Sequence, residues 1–181
     1  MHFRGANKHL FEILKQNLKG ETEMRISYCS GLAGVFALFL SLTAQAGDVL
    51  KAELKACLHD GTSIGGVNSC GKIWKLKSGR AVLDSDGSLK VEVKGLVLND
   101  ESTGQFNGTP DGVDAVAAAV ICNNSSGATV AAQTEAMPLS KSGDARINAK
   151  VDLAAGCTAP VIVLRERYEG NIGGWLAGTG F

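Results

Sequence analysis

The chain has 181 residues, 45% of them hydrophobic, and its 18 Lys and Arg balance its 18 Asp and Glu. That balance gives no electrostatic reason to expect a nucleic acid or an anionic membrane surface as partner. The length suffices for one domain with a self-sufficient core.

Residues 1–23 (MHFRGANKHLFEILKQNLKGETE) place Leu10, Ile13, Leu14 and Leu18 at helical spacing. An amphipathic surface helix would read this way; the plainer account is that translation starts at Met24. Residues 24–46 then read as a cleavable export signal. Met24 and Arg25 open a positive region, residues 31–42 (GLAGVFALFLSL) form an apolar core, and Thr43-Ala44-Gln45-Ala46 supplies a small-x-small cleavage pattern. The apolar run is too short for a membrane anchor, which needs about 20 residues. The expected organisation is a removed helical leader over 1–46 and a single domain over 47–181. From Gly47 onward there are 13 Lys and Arg against 15 Asp and Glu, a net of −2.

Strict alternation dominates the mature chain. Over 49–58, Leu50, Ala52, Leu54, Ala56 and Leu58 oppose Lys51, Glu53 and Lys55; over 89–98, Leu89, Val91 and Val93 oppose Lys90, Glu92 and Lys94; over 145–153, Ala145, Ile147, Ala149, Val151 and Leu153 oppose Arg146, Asn148, Lys150 and Asp152. A period of two is the signature of half-buried strands. Asp84-Ser85-Asp86-Gly87 separates 80–83 from 89–93 and predicts a hairpin. Further strands are expected at 113–122, 128–137, 161–167 (opened by Pro160) and 175–181, with 170–174 as a connector and 99–112 (NDESTGQFNGTPDG) as a long exposed loop. Small residues crowd 115–119, which predicts a strand where two sheets approach closely. Eight or nine short strands without a helix after the leader predict an all-β fold, an antiparallel two-sheet sandwich of immunoglobulin-like or related Greek-key topology.

Cys29 leaves with the leader, so Cys57, Cys70, Cys122 and Cys157 remain. An even number in an exported domain implies two disulfides with three possible pairings. Expected proximity favours Cys57–Cys70 and Cys122–Cys157, closing loops worth about 3 and about 4 kcal/mol on the chain-entropy model. Secretion, or residence in the periplasm or cell envelope, follows from the leader and the cysteines together.

Several segments in order carry a resemblance: Ile73-Trp74 with Gly79-Arg80-Ala81, residues 86–96 (DGSLKVEVKGL), the cysteine-ended stretch 120–122, Pro138-Leu139-Ser140 with 143–147 (GDARI), Cys157 with Ala159-Pro160-Val161, and Ala177-Gly178-Thr179-Gly180. Together they resemble a group of small exported bacterial proteins, common in actinobacteria, of uncharacterised function. The resemblance implies a β-rich exported protein and carries no activity, ligand or catalytic residue.

Chemistry-bearing side chains are sparse. His59 is the single histidine after the leader, with Asp60, Ser63 and Ser69 nearby but no Gly-x-Ser-x-Gly elbow, and it reads most simply as a loop residue. No metal ligand set or cofactor motif is legible. Asp84, Asp86 and Ser88 resemble a fragment of a calcium loop but also suit a hairpin tip. Asp100, Glu101, Asp111 and Asp114 read as solvated loop acids, and Arg165, Glu166 and Arg167 as charges guarding a sheet edge. Trp74, Trp175 and Phe106 are the candidate ligand contacts, with Tyr168 and Phe181 completing the mature aromatics. The tryptophans lie in expected strands, and Phe106 either plugs back onto the core, the favoured reading, or marks a contact surface. Lys72, Lys75 and Lys77 beside Trp74 read as a solvated strand face rather than a single-stranded nucleic-acid platform.

The reading is an exported, non-enzymatic module that binds a protein or envelope partner or serves a structural role. A small secreted hydrolase using His59 or loop carboxylates is one alternative; a subunit that exchanges a strand through its sheet edge is another.

Overall fold

The computed structural model describes residues 47–110, 112–125, 127–153 and 156–180. The extension, the export signal, the helical leader, Cys29 and Phe181 lie outside the described residues. The strands are β1 (Asp48–Glu53), β2 (Lys55–Ala56), β3 (Trp74–Lys75), β4 (Ser78–Asp84), β5 (Ser88–Lys94), β6 (Val97–Leu98), β7 (Ala115–Asn124), β8 (Gly127–Gln133), β9 (Met137–Pro138), β10 (Ala145–Lys150), β11 (Thr158–Tyr168) and β12 (Asn171–Gly178). Eight of them have six or more residues and four have two, so the longer strands match the expected number. All pair antiparallel, and the fold is all-β. One sheet has the order β1-β4-β5-β10; a second has β2-β12-β11-β7-β8, with β9 also on β7; β3 and β6 form a small third sheet.

The alternation read in the sequence is the burial pattern. Leu89, Val91 and Val93 of β5 are at most 2% exposed, as are Ala81 and Leu83 of β4 and Ile147 of β10, while Lys90, Lys94 and Arg146 face solvent. Val116, Ala118 and Val120 of β7, with Ile162 and Leu164 of β11, join the same hydrophobic cluster from the second sheet. Each Leu, Ile or Val withdrawn this way contributes roughly 1.5–3 kcal/mol of transfer free energy.

Several expectations change in detail. The expected 49–58 strand breaks at Leu54: β1 pairs β4 in one sheet, β2 pairs β12 in the other, and Leu58 is 66% exposed. Pro160 does not open β11 but is its third residue, within the register shift between Thr158 and Val161, where a bulge leaves its missing N–H without cost. Residues 171–174 are not a connector; they belong to β12, and the turn falls on Glu169 and Gly170. The loop expected at 99–112 contains a short 3-10 segment, Glu101–Phe106 (hereafter the 3-10 helix), broken at Gly104 (φ +58°, ψ −122°). Arg165 and Arg167 do not guard an edge, because β11 runs between β12 and β7.

Both disulfides are present, Cys57–Cys70 and Cys122–Cys157. The first closes the segment after β2; the second ties β7 to the chain entering β11. Two such bridges point to an oxidising compartment. Among the described residues no helix is long and apolar enough to cross a membrane.

The β4–β5 hairpin turns at the expected place. Gly87 N–H donates to Asp84 O at 2.9 Å, and Gly87 O accepts from Val151 N–H at 2.9 Å, docking the turn on the end of β10. Gly87 has φ +83°, and a Cβ there would lie 2.1 Å from Val151 O. Asp86 accepts from Ser88 N–H at 2.9 Å and from Lys150 Nζ at 2.7 Å, which accounts for the calcium-like fragment as a turn with a cross-strand ion pair.

Gly87→Ala should destabilise by about 2–4 kcal/mol through backbone strain and the clash with Val151 O. Gly170→Ala, at φ +81° with nothing within 4 Å, should cost only the strain, about 1–2 kcal/mol. Urea unfolding of the two variants checks the ordering. Asp86 is held down to about 2, first by the Lys150 hydrogen bond and then by Ser88. A depressed carboxylate contributes stability above its ordinary value of about 3.9 and loses it as pH falls through the folded value. An NMR titration should therefore place its midpoint near 2, and Lys150→Met should move it toward the ordinary value.

Candidate functional site

A cleft of ≈ 480 Å³ opens where the small sheet, the 3-10 helix and the end of β11 meet. Trp74 and Leu98 line it from β3 and β6, Ser102, Thr103 and Phe106 from the 3-10 helix, and Glu166 and Tyr168 from β11, with Lys72 beside them. Each wall has a local cause. Trp74 pairs with Leu98, its N–H donates to Cys57 O at 2.9 Å, and Asn99 N–H donates to Ile73 O at 2.8 Å. The wall that carries Trp74 is thus bonded directly to the first disulfide.

The 3-10 helix is set by Asp100 and Asn107. Asp100 Oδ1 accepts Ser102 N–H at 2.9 Å, capping the first turn, and Asn107 Oδ1 accepts Asp100 N–H at 3.2 Å, closing the loop on itself. Ser102 holds the Asp100 carboxyl below its usual range, and Lys72 adds to the effect. Lys72 Nζ lies 3.9 Å from Asp100 Oδ2 and donates to Ser102 Oγ at 3.4 Å. Leu98 N–H donates to Thr109 O, and Gly108 N–H to Leu98 O, lacing the far end of the loop to β6. Phe106, past the break at Gly104, stands 41% exposed at the cleft and does not plug back onto the core.

Tyr168, the last residue of β11, is 50% exposed. It lies over Gly112, where a Cβ would approach the ring at 2.6 Å. Glu166 Oε1 accepts Gly174 N–H at 3.3 Å. Trp74 is 4% exposed and forms part of the buried lining rather than an open platform. Two open rings, two hydroxyls, an ammonium and a carboxylate therefore share one concave surface. That set can stack on the apolar face of a small ring and hydrogen-bond its polar edge.

Of the three candidate contacts, the cleft brings together Trp74 and Phe106. Trp175 is 3% exposed; its Nε1–H donates to Thr62 O at 3.1 Å and its N–H to Asn68 O. It fixes the 62–69 segment to β12 and does not line the cleft. Tyr168 gave a weak sequence signal, an aromatic beside a turn, and nothing local marked Ser102, Thr103 or Glu166 as its companions.

The hydrolytic candidates are occupied elsewhere. His59 Nδ1–H donates to Cys70 O at 2.7 Å, and the Asp60 carboxylate accepts Thr62 N–H at 2.9 Å. Asp60, Ser63 and Ser69 form no hydrogen bond with His59 among the described residues. Asp114 pairs with Arg167 at 2.7 Å and Asp100 caps the 3-10 helix, so these two loop acids do not converge; Asp111 lies outside the described residues. No group of three or more His, Cys, Asp or Glu that could hold a metal ion occurs among the described residues.

A second concavity, ≈ 430 Å³, lies on the solvent face of the four-stranded sheet between Lys51, Glu53, Arg80, Glu92 and Lys94. Its charges alternate across the strands, Glu53 opposite Arg80 and Arg80 opposite Glu92, which is how a wet sheet face stabilises itself. No family model, no curated protein and no solved structure matches this chain.

Proposed function

We propose that this chain is an exported, non-enzymatic β-sandwich module of the small bacterial type its sequence resembles, and that it binds a ring-bearing polar ligand of the saccharide class in the aromatic cleft. One observation carries the reading: Phe106 and Tyr168 stand open at a concave surface furnished with the Ser102 and Thr103 hydroxyls, Lys72 and Glu166. Exposed aromatic rings cost hydration, and rings held by a hydrogen-bonded loop and a strand end are suited to stacking. The side chains offer binding groups rather than a nucleophile paired with a base, which favours recognition over hydrolysis.

The sandwich reading rests on two sheets that feed one hydrophobic cluster. In the six-stranded sheet the order β12-β11-β7-β8 follows the G-F-C-C′ order of immunoglobulin-like domains. The four-stranded sheet departs from that plan, since its central pair, β4 and β5, is a hairpin rather than two strands distant in sequence. A related two-sheet topology is the better description. Export, to the periplasm, the envelope or the medium, is supported by the leader and by the two disulfides.

Titrating the exported protein with a panel of soluble mono- and oligosaccharides, followed by tryptophan fluorescence and NMR, tests the cleft. A saccharide that binds should lose about tenfold in affinity, roughly 1.4 kcal/mol, on Phe106→Ala or Tyr168→Ala, while Trp175→Phe leaves binding unchanged. Turnover of an ester, peptide or glycan that vanishes in His59→Ala would replace this reading with a hydrolase. Intact mass of protein recovered from its host should correspond to a chain starting at Gly47 with both disulfides formed.

A further inference from the structure

The strands that end the two large sheets are unequally guarded. An edge strand offers unpaired N–H and C=O groups to any other strand, and proteins protect it with charge, proline, shortness or a β-bulge, of which β8 has only the last, at Ala131. β1 carries Asp48, Lys51 and Glu53 in six residues, and β10 carries Arg146 and Lys150 in six. β2, at one end of the six-stranded sheet, has two residues and includes Lys55. β8, at the other end, is seven residues long, GATVAAQ, with neither charge nor proline.

β8 is bonded to β7 on one side. Among the described residues no other segment makes a backbone hydrogen bond to 127–133. In an antiparallel ladder alternate residues turn their N–H and C=O groups away from the partner, so β8 holds a set of them toward its open side. The same border carries two exposed apolar side chains, Val130 at 38% on β8 and Met137 at 40% on β9, which pairs with the same side of β7.

We propose that β8 is a self-association edge: a second copy of this chain adds its own β8 antiparallel, joining the two six-stranded sheets across a two-fold axis. Charge makes β8 the large-sheet edge best suited to pairing with its own copy. About a two-fold, an uncharged strand brings no like charges together, whereas β10 paired with itself about Asn148 would set Arg146 against Lys150. The register shift between the partners of Val120 and Ile121 falls at Ala131 and twists the strand locally, so the contact centres on 127–130, between the hairpin tip and the bulge. This surface is separate from the cleft, whose walls lie on β3, β6, the 3-10 helix and β11, and either can fail without the other.

Sedimentation velocity of the exported protein over a concentration series, with hydrogen exchange at both ends of the series, tests it. A reversible dimer is expected, with amides 127–133 gaining protection as concentration rises. Val130→Lys should weaken the dimer about tenfold or more by placing like charges across the two-fold, and Thr129→Lys should act in the same direction if the first variant folds poorly. Unchanged protection of β5 and β11 amides confirms that each variant is folded. A monomer at every concentration, a dimer whose 127–133 amides exchange as fast as in the monomer, or full protection of those amides already in the monomer would each overturn the proposal.

Discussion

Cys57 is the point on which both the large sheet and the cleft depend. It is 0% exposed and follows immediately after the strand that leaves one sheet for the other. Its N–H donates to Leu176 O, its carbonyl accepts Trp74 N–H, and its sulfur, bonded to Cys70, accepts Cys70 N–H at 3.1 Å. One residue thus closes the border of β12, places the wall that carries Trp74 and anchors the segment 58–70. That segment runs along β12, where Asn68 O accepts Trp175 N–H. At Gly174 a Cβ would come within 2.7 Å of Ser69 O, so the close approach requires glycine there. A buried disulfide suits this junction because it holds geometry without relying on a large apolar side chain.

The second organising constraint is the pairing of β7 with β11. Ala115 and the run 117–119 are at most 1% exposed although β7 has two faces to cover. In register, Ala117 lies beside Arg165 and Ala115 beside Arg167. Arg165 reaches over the sheet to Gly173 O and Gln133 Oε1, and Arg167 to Asp114. Long guanidinium stems covering short methyls remove the alanines from water while their charged heads reach polar partners. The sequence suggested a close approach of two sheets at these small residues; the covering of one face by arginine stems is a cause that composition alone did not contain.

What the sequence made legible was local and periodic. Alternation at 89–93 and 145–149 gave strands with the correct inward faces, and the Asp-Gly at 86–87 gave the hairpin, because both rest on interactions within a few residues. Of the three possible disulfide pairings, expected proximity favoured the one observed. The break at Leu54 was not legible, since Leu50, Ala52, Leu54 and Ala56 alternate without interruption and the change of partner is imposed from β4 and β12. For the same reason Arg165 and Arg167 read as edge charges: an edge is a property of strand order, and strand order is set by contacts far apart in the chain. The cleft assembles residues 72–168 from four elements, so Phe106 could be singled out but its companions could not.

The cleft and the core are stabilised by different means. The core strands β5, β7 and β11 rest mainly on apolar burial. The cleft wall instead hangs on Cys57: Trp74 N–H reaches its carbonyl, His59 Nδ1–H reaches Cys70 O at 2.7 Å, and the short β3–β6 pair has only two residues on each strand. A two-residue ladder is too short to hold a binding surface by itself. Bridging Cys57 to Cys70 shortens the free segment behind that ladder and limits the conformations the wall can adopt, which lowers the ordering cost of any ligand that touches it. An oxidising compartment therefore does more than keep the domain folded. Through that bridge it holds the wall that carries Trp74 in place beside the loop of Phe106 and the strand end of Tyr168.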